Sequence, residues 1–333
     1  MPHLLATSVF AVIACSAVFV QLQDPPPPPK GLEKATLVTA ADNPWTPAKA
    51  ELGKQLFYEP RLSGTGTMAC AECHHADKAF TDGVAKSKKD DGTTNTRNSP
   101  SMYNVGYLDR LYWDGRAKNL EANVLAAWKA QIGGKPDEAA RKLAAVPEYA
   151  SAFQAAFGEG PSEGTVVKAL SSFLRTLRSG DSAFDRYVAG DKTALGDAAK
   201  KGSDLFMSKG CVTCHVPPLF TDRVFHNVGI GMTAEKPDVG AGGEKAFNDP
   251  IRTGQFKTPS LRNVAKTAPY FHDGSVATLK EAVKLMASGG IDNKHKDALL
   301  LPWKLSDEEI DQLVAVLESL SGNDAFTAPV LPK

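Results

Sequence analysis

The chain has 333 residues with 38 basic and 38 acidic side chains, so its formal net charge is zero. This balance gives no indication of binding to nucleic acid or to an acidic membrane surface. The length fits a targeting segment followed by about two domains of ordinary size. Four of the five cysteines fall in the two motifs described below, which leaves no disulfide framework.

Residues 1–22 are predicted to form a signal or anchor segment. The apolar run from Leu4 to Val20 is short for a membrane span and is typical of a secretory signal, although no basic residue precedes it. The sequence around Cys15 also resembles a lipobox, so Cys15 is a candidate lipid attachment point. Plain cleavage and an uncleaved anchor are the alternatives.

A proline-rich linker, residues 23–42, comes next. It contains five consecutive prolines from Pro25 to Pro29, which favour a polyproline helix. We therefore expect a stiff spacer between the membrane side and the folded body, which is predicted to begin near residue 43.

The first predicted helix leads into a cysteine motif. Thr46 is a good N-cap followed by proline, and Leu52, Leu56 and Phe57 mark one apolar face of the helix. The helix is predicted to end before Pro60 and is followed by Cys70-Ala71-Glu72-Cys73-His74. The same C-x-x-C-H pattern recurs at Cys211-Val212-Thr213-Cys214-His215. Two thiols at this spacing can each add to a vinyl group of one haem, and the adjacent imidazole then becomes the proximal iron ligand.

Other interpretations of this pattern fit less well. A zinc site needs four ligands gathered together, but the two cysteine pairs are about one domain apart in sequence. A thioredoxin-like dithiol belongs beside a strand of a βαβ unit, and no such pattern surrounds either motif. The sequence therefore predicts two covalent c-type haems.

The remaining pattern predicts a mainly α fold. Two similar segments, Gly53 to Phe57 and Gly202 to Phe206, precede the two motifs and indicate two haem domains of similar plan. The fold class is thus mainly α, with two cytochrome c-like haem domains, residues 43–190 and 191–333, and long loops. Further helices are predicted at 136–145, 147–157 and 163–178, with capping boxes at Thr278/Glu281 and Ser306/Glu309.

Several further motifs resemble those of the bacterial dihaem cytochrome c peroxidase family, which also includes MauG. They are Arg97-Asn98-Ser99-Pro100, Trp113-Asp114-Gly115-Arg116, Phe220-Thr221-Asp222, Thr258 to Val264 and Ala268 to Gly274. The resemblance covers nearly all of residues 52–322. It implies an N-terminal haem that meets hydrogen peroxide and a C-terminal haem that receives electrons.

The resemblance also implies site residues. His74 and His215 would be the proximal ligands, and Met286 would lie opposite His215. Met286 can equally be a core methionine, and Met207 and Met232 compete for the ligand role. Trp113 matches the tryptophan between the two haems, where it would relay electrons, and it can also be a buried wedge between the domains.

A calcium site is implied by the same family. Asn98 would contribute its side chain, and Thr267 and Pro269 would contribute backbone carbonyls. Oxygen ligands of this kind suit Ca²⁺. Asn98 alone would more often be a turn residue.

The sequence departs from the family pattern in the loop before Arg97. Many of these peroxidases have a histidine there that blocks the peroxidatic iron, whereas this chain has Asp90 and no histidine from Asp82 to Asn95. We therefore predict an open or water-ligated N-terminal iron that needs no reductive activation.

A second departure concerns proton transfer. Gln131 takes the place of a distal glutamate, and an amide cannot donate or accept a proton at neutral pH. Loss of a general acid–base typically costs about 10²- to 10⁴-fold in rate. Asn123 matches a distal glutamine that would orient peroxide, and His226 and His272 are expected to bond to backbone or haem propionates.

The preferred interpretation is a periplasmic peroxidase that reduces hydrogen peroxide to water with electrons from a small cytochrome c or cupredoxin. One alternative is a MauG-like enzyme that oxidises Trp or Tyr residues of a partner protein, against which Met286 argues. Another is a dihaem electron-transfer cytochrome. Related enzymes often dimerise, so a homodimer is a further possibility.

Overall fold

The computed structural model describes residues 25–245, 247, 249–322 and 325–333. The predicted signal or anchor segment and Cys15 lie outside the described residues. No helix in the described part of the chain is long and apolar enough to cross a membrane.

The fold is mostly helical, which confirms the predicted class. The α-helices are α1 (Pro47–Phe57), α2 (Leu120–Ala130), α3 (Pro136–Ala144), α4 (Pro147–Phe157), α5 (Glu163–Leu174), α6 (Ala183–Val188), α7 (Asp197–Ser208), α8 (Leu279–Ala287) and α9 (Asp307–Glu318). Short 3₁₀ turns lie at Pro60–Leu62, Cys70–Glu72, Ala76–Lys78, Val105–Tyr107, Cys211–Thr213, Ala241–Gly243, Pro250–Arg252 and Val264–Lys266. Strands β1 (Phe225–His226) and β2 (Phe256–Lys257) form an antiparallel pair, with Phe225 opposite Lys257.

The predicted helix starts agree with the structure. Thr46 caps α1 by accepting a hydrogen bond from the backbone of Lys49, and both predicted capping boxes are present, at α8 and α9. The helix predicted over 163–178 ends earlier, at Leu174. Arg175 follows in a tight turn, where its guanidinium donates to Glu121 and to the Val38 carbonyl.

Each domain is built on two crossed helices that touch at a glycine. In the first domain α1 crosses α5, and a Cβ added at Gly53 would lie 2.0 Å from the Ala169 carbonyl oxygen. In the second domain α7 crosses α9, and a Cβ at Gly202 would lie 1.9 Å from the Gln312 carbonyl oxygen. The larger core surrounds the first crossing, and a smaller one, including Phe206, Phe220 and Leu317, surrounds the second.

Residues 25–42, here called the N-terminal strap, pack against both domains. Leu32 is fully buried with Tyr107 of the first domain and Leu219 of the second. The Val38 N–H donates to the Gly106 carbonyl. The segment was predicted to be a stiff spacer ahead of the body, but residues 32–38 pack on the body, because their apolar side chains find partners there.

Two ion pairs join the domains, one buried and one partly exposed. Arg262 donates to both oxygens of Asp185 at 2.9 Å and also to the Gly31 carbonyl of the strap. Arg97 donates to both oxygens of Asp238 at 2.7 and 2.8 Å. These bonds hold the two halves of the chain around a common cavity.

Candidate active site

Both C-x-x-C-H motifs adopt the same local structure. Each begins with a 3₁₀ turn, Cys70–Glu72 or Cys211–Thr213, which follows α1 after residues 58–69 in the first domain and α7 after residues 209–210 in the second. All four thiols are free. Burial raises the pKa of Cys70 to about 12 and also raises that of Cys211, so these thiols are held as S–H.

The two proximal histidines are oriented by backbone carbonyls. The His74 Nδ1 lies 2.7 Å from the Phe80 oxygen, and the His215 Nδ1 lies 3.0 Å from the Phe220 oxygen. Burial lowers the pKa of both imidazoles, which favours the neutral form. A neutral ring that donates through Nδ1 leaves Nε2 free for iron, as in other histidine-ligated metal sites. Together with the paired free thiols, this arrangement fits a covalently attached haem at each motif.

The role of Phe80 and Phe220 was missed by the sequence reasoning. Both have a left-handed backbone, with φ of 58° at Phe80 and 53° at Phe220, which turns the chain so that the carbonyl faces the histidine. The signal is present in the sequence as Phe-Thr-Asp, which occurs at 80–82 and again at 220–222. Only the second copy was recognised as a motif.

A cavity of about 240 Å³ lies between the domains and adjoins a smaller one of about 50 Å³ beside Cys70 and Cys73. The larger cavity brings together residues singled out from the sequence: His74, Asn98, Trp113, Asn123, Gln131, Thr267 and Pro269. Asn123 on α2 and Gln131, the residue directly after α2, both lie at the wall of both cavities, as does Ala127 between them. These two amides therefore face the space beside the N-terminal haem site.

No Asp or Glu of the described residues lines either cavity. The hydrogen-bonding side chains that line them are amides, phenols, hydroxyls and basic groups instead. Tyr112 is one of them, and its hydroxyl lies 3.4 Å from the Asn123 carbonyl. Burial raises the pKa of Tyr112, so the phenol stays protonated at neutral pH.

Asp90, in the loop where related peroxidases have a histidine, is engaged elsewhere. Its carboxylate accepts from the Thr65 N–H at 2.9 Å and from the Thr65 hydroxyl at 2.5 Å. Its own N–H donates to the Gln131 carbonyl. Lys88 and Thr94 pair across the loop, so it is a tight turn fixed to the end of α2. Asp90 thus holds the loop beside Gln131 and does not line the described cavities.

Trp113 connects the two domains through its hydrogen bonds. Its indole N–H donates to the Asn98 carbonyl at 3.0 Å, and its own carbonyl accepts from the Lys257 N–H at 2.8 Å. The ring is partly buried at the cavity wall. This position suits both interpretations of Trp113, a wedge between the domains and an electron relay.

The Asn98 side chain is held by its nitrogen. The Nδ2 group donates to the Val84 carbonyl at 2.9 Å, which directs the amide oxygen away from that carbonyl. Thr267 and Pro269 line the same cavity. Amide and carbonyl oxygens are ligands of the kind that Ca²⁺ prefers, and the calcium role of these three residues stays a prediction.

The three methionines differ in exposure. Met286 lies partly buried on α8, whereas Met207 on α7 is 58% exposed and open to solvent. Met232 packs against Gly254, since a Cβ there would lie 2.5 Å from its sulfur. The ligand role of Met286 stays a prediction.

His226 makes different contacts from those expected. Its Nδ1 lies 2.5 Å from Asp297 and its Nε2 lies 3.1 Å from Asp222, so carboxylates bind it rather than backbone. The nearby Cys214 sulfur, Asp297 and Asp222 raise its pKa to about 10. Cys214 loses its thiol on haem attachment, so the two aspartates are the partners that persist.

The comparisons with known proteins agree with this geometry. A family model described as di-haem cytochrome c peroxidase matches residues 47–193, and a cytochrome c model matches residues 199–321. The methylamine utilization protein MauG of Methylophilus methylotrophus is 35% identical over 92% of this chain and 93% of its own. The chain belongs to the di-haem cytochrome c peroxidase family.

Other relatives within this family are named as peroxidases. The cytochrome c551 peroxidase of Pseudomonas aeruginosa is 33% identical over 87% of this chain and 83% of its own. A solved structure, described as a MauG-like protein associated with microbial copper homeostasis, has a TM-score of 0.79 and 32% identity, covering 92% of this chain and 96% of that one. Membership confirms the predicted family, the two haems and an oxidoreductase of the peroxidase type.

Proposed function

We propose that this protein reduces hydrogen peroxide to water in the periplasm, using electrons delivered singly by a small cytochrome c or cupredoxin. The observation that carries the proposal is the cavity beside His74. It holds two amides, Asn123 and Gln131, at one side and reaches Trp113 and the second domain at the other. The cavity thus offers room for a small polar substrate near the two amides, and it contains Trp113 on the side toward the second domain.

When bound, the haems supply the redox chemistry of peroxide reduction. The chain itself orients the reactants: Asn123 offers an amide that hydrogen-bonds peroxide, and Gln131 offers a second one. Neither amide transfers a proton at neutral pH, so turnover is slower than in a relative with a carboxylate at this position. Trp113 provides an aromatic ring between the two haem sites for electron transfer.

Access to the N-terminal iron is open in this proposal. The 82–95 loop has no histidine, and Asp90 in that loop is bonded to Thr65. Met286 would hold the C-terminal haem together with His215, and a Met/His pair would raise its reduction potential as electron entry requires. Asn98, Thr267 and Pro269 bind Ca²⁺ between the domains. Covalent haem attachment of this type is extracytoplasmic in bacteria, which supports export, with Cys15 as a candidate tether.

The test is the optical and EPR spectrum of the fully oxidised protein, before and after one equivalent of hydrogen peroxide. We expect a high-spin signal from the N-terminal haem that disappears within seconds, followed by steady turnover with a reduced cytochrome c. Two purely low-spin haems that ignore peroxide would contradict the open site. A one-electron pre-reduction then separates a closed peroxidase from a plain electron carrier.

Oxidation of Trp or Tyr residues in a partner protein is a second candidate. The similarity to MauG and to the MauG-like structure supports it, as does a peroxide cavity without a carboxylate. It predicts that the peroxide-oxidised protein persists in the presence of reduced cytochrome c. Rapid decay to the resting spectrum with oxidation of the cytochrome favours peroxide reduction.

A further inference from the structure

Four basic side chains line the large cavity between the domains: Arg97, Arg116, Lys257 and Arg262. The three arginines are neutralised by carboxylates. Arg97 and Arg116 both bind Asp114, and Arg262 binds Asp185. Lys257 forms no ion pair with any carboxylate of the described residues, and Asp109 acts on it only at longer range.

The backbone fixes Lys257 at this position. It pairs with Phe225 in the β1–β2 ladder, and its N–H donates to the Trp113 carbonyl. Successive residues of a strand point to opposite faces. Phe256 points away from the cavity and stacks on His272 with ring centroids 3.6 Å apart, so Lys257 points to the other side, where it lines the cavity.

An ammonium in this environment needs an anion. Burial lowers the pKa of Lys257 to about 8, because desolvation disfavours its charged form. An unpaired buried charge is costly, and an opposite charge within a few ångströms removes much of the cost. The haems expected in this protein carry propionate carboxylates, and the cavity is continuous with the His74 site.

We propose that Lys257 binds a haem propionate at the cavity between the domains and thereby raises the reduction potential of that haem. The Lys257 N–H also donates to the Trp113 carbonyl, so the contact between Lys257 and the propionate would link the Trp113 segment to the haem. This inference concerns the cofactor alone and does not depend on which substrate is oxidised or reduced.

The experiment is a spectroelectrochemical titration of both haems in the holoprotein. The variants are Lys257→Met, Lys257→Gln and Lys257→Arg, with Lys304→Met, which removes an exposed lysine, as the matched control. Haem attachment through thioethers keeps the cofactor in place when a propionate contact is lost, and mass spectrometry verifies two haems per chain.

We expect the Met and Gln variants to lower the potential of one haem, because a nearby positive charge stabilises the reduced state. The Arg variant retains the wild-type value, and the control does not change it. Unchanged potentials in both neutral variants would overturn the proposal. So would a wild-type potential that shifts with added chloride while the Met variant is insensitive, because Lys257 would then bind a free anion.

Discussion

At the scale of single residues, Gln131 places an amide beside the N-terminal haem site, at a position where proton transfer would need a carboxyl group. Gln131 lies at the end of α2 and lines both cavities, with its carbonyl held by Asp90. The side chain is therefore placed beside the N-terminal haem site, yet its chemistry limits it to hydrogen bonding.

Restoring a carboxyl group at this position is expected to accelerate peroxide turnover. The Gln131→Glu variant provides a group that can take and return a proton, so we expect kcat/KM for hydrogen peroxide to rise by about 10²-fold. Gln131→Met keeps the side-chain size without polar atoms and serves as the control. Stopped-flow mixing with peroxide measures both, and a Glu variant no faster than wild type would show that another group already transfers the proton.

The residues that bind the haems could be predicted from the sequence, but the backbone contacts that orient the two histidines could not. Cys70, Cys73 and His74 are identified by spacing alone. The carbonyls that orient the imidazoles belong to Phe80 and Phe220, and their contribution depends on a left-handed backbone rather than on a side chain. A sequence motif does not directly show a backbone contact of this kind.

At the scale of elements, the two glycine crossings position the haem motifs. A glycine inside a helix is about 0.5–1 kcal/mol less favourable than alanine, so a reason is needed for Gly53 and Gly202. The reason is the close approach of α5 and α9, whose carbonyl oxygens occupy the space of a Cβ atom. Each crossing sets the direction in which α1 or α7 delivers its motif.

Alanine at either crossing is expected to disturb one haem and leave the other unchanged. Gly53→Ala forces α1 away from α5, and we expect a cost on the order of 1–3 kcal/mol with a changed high-spin EPR signal. Gly202→Ala should change the low-spin signal instead. Gly160→Ala is the control, because a Cβ there meets no atom within 4 Å. Equal effects of both variants on both haems would contradict independent crossings.

Helix boundaries were largely predictable because capping and proline act locally. The starts of α1, α4, α8 and α9 follow from Thr46, Pro147 and the two capping boxes. The end of α5 could not be predicted in this way, because the Arg175 guanidinium binds Glu121, a residue 54 positions away in the sequence. The spacing of apolar residues along one helix does not show contacts with residues so far away in the sequence.

At the scale of the whole molecule, the domains are joined by ion pairs between residues far apart in the sequence. Local sequence patterns do not predict which residues form these pairs. Arg262 and Asp185 are almost fully buried, with side-chain exposures of 1% and 5%. Burial opposes ionisation of Asp185, but Arg262 and Ser182 outweigh it and lower its pKa below the usual value. The pair therefore contributes to stability while Asp185 is ionised.

Neutralising Asp185 is expected to destabilise the domain junction. Asp185→Asn leaves the Arg262 charge unpaired, so we expect a loss of about 3 kcal/mol at pH 7, seen as a melting temperature several degrees lower. The Asp185 contribution is complete above its unfolded pKa of about 3.9 and is lost as pH falls through its lower folded value. The difference between variant and wild type should therefore shrink below pH 4.

Calorimetry from pH 3 to 7 tests this expectation. Asp197→Asn is the matched control, because that aspartate is 95% exposed and its partner Lys200 lies 3.8 Å away. A difference between Asp185→Asn and wild type that stays constant down to pH 3 would show that the pair does not depend on ionised Asp185.

The N-terminal strap has a consequence for the order in which this molecule assembles. Gly31 and Arg262 are 231 residues apart, and Leu32 packs against both Tyr107 of the first domain and Leu219 of the second. A chain that emerges from its N-terminus therefore carries the strap without its final partners until most of the second domain has followed. Closure of the strap is therefore a late step of folding, because it needs residues of both domains.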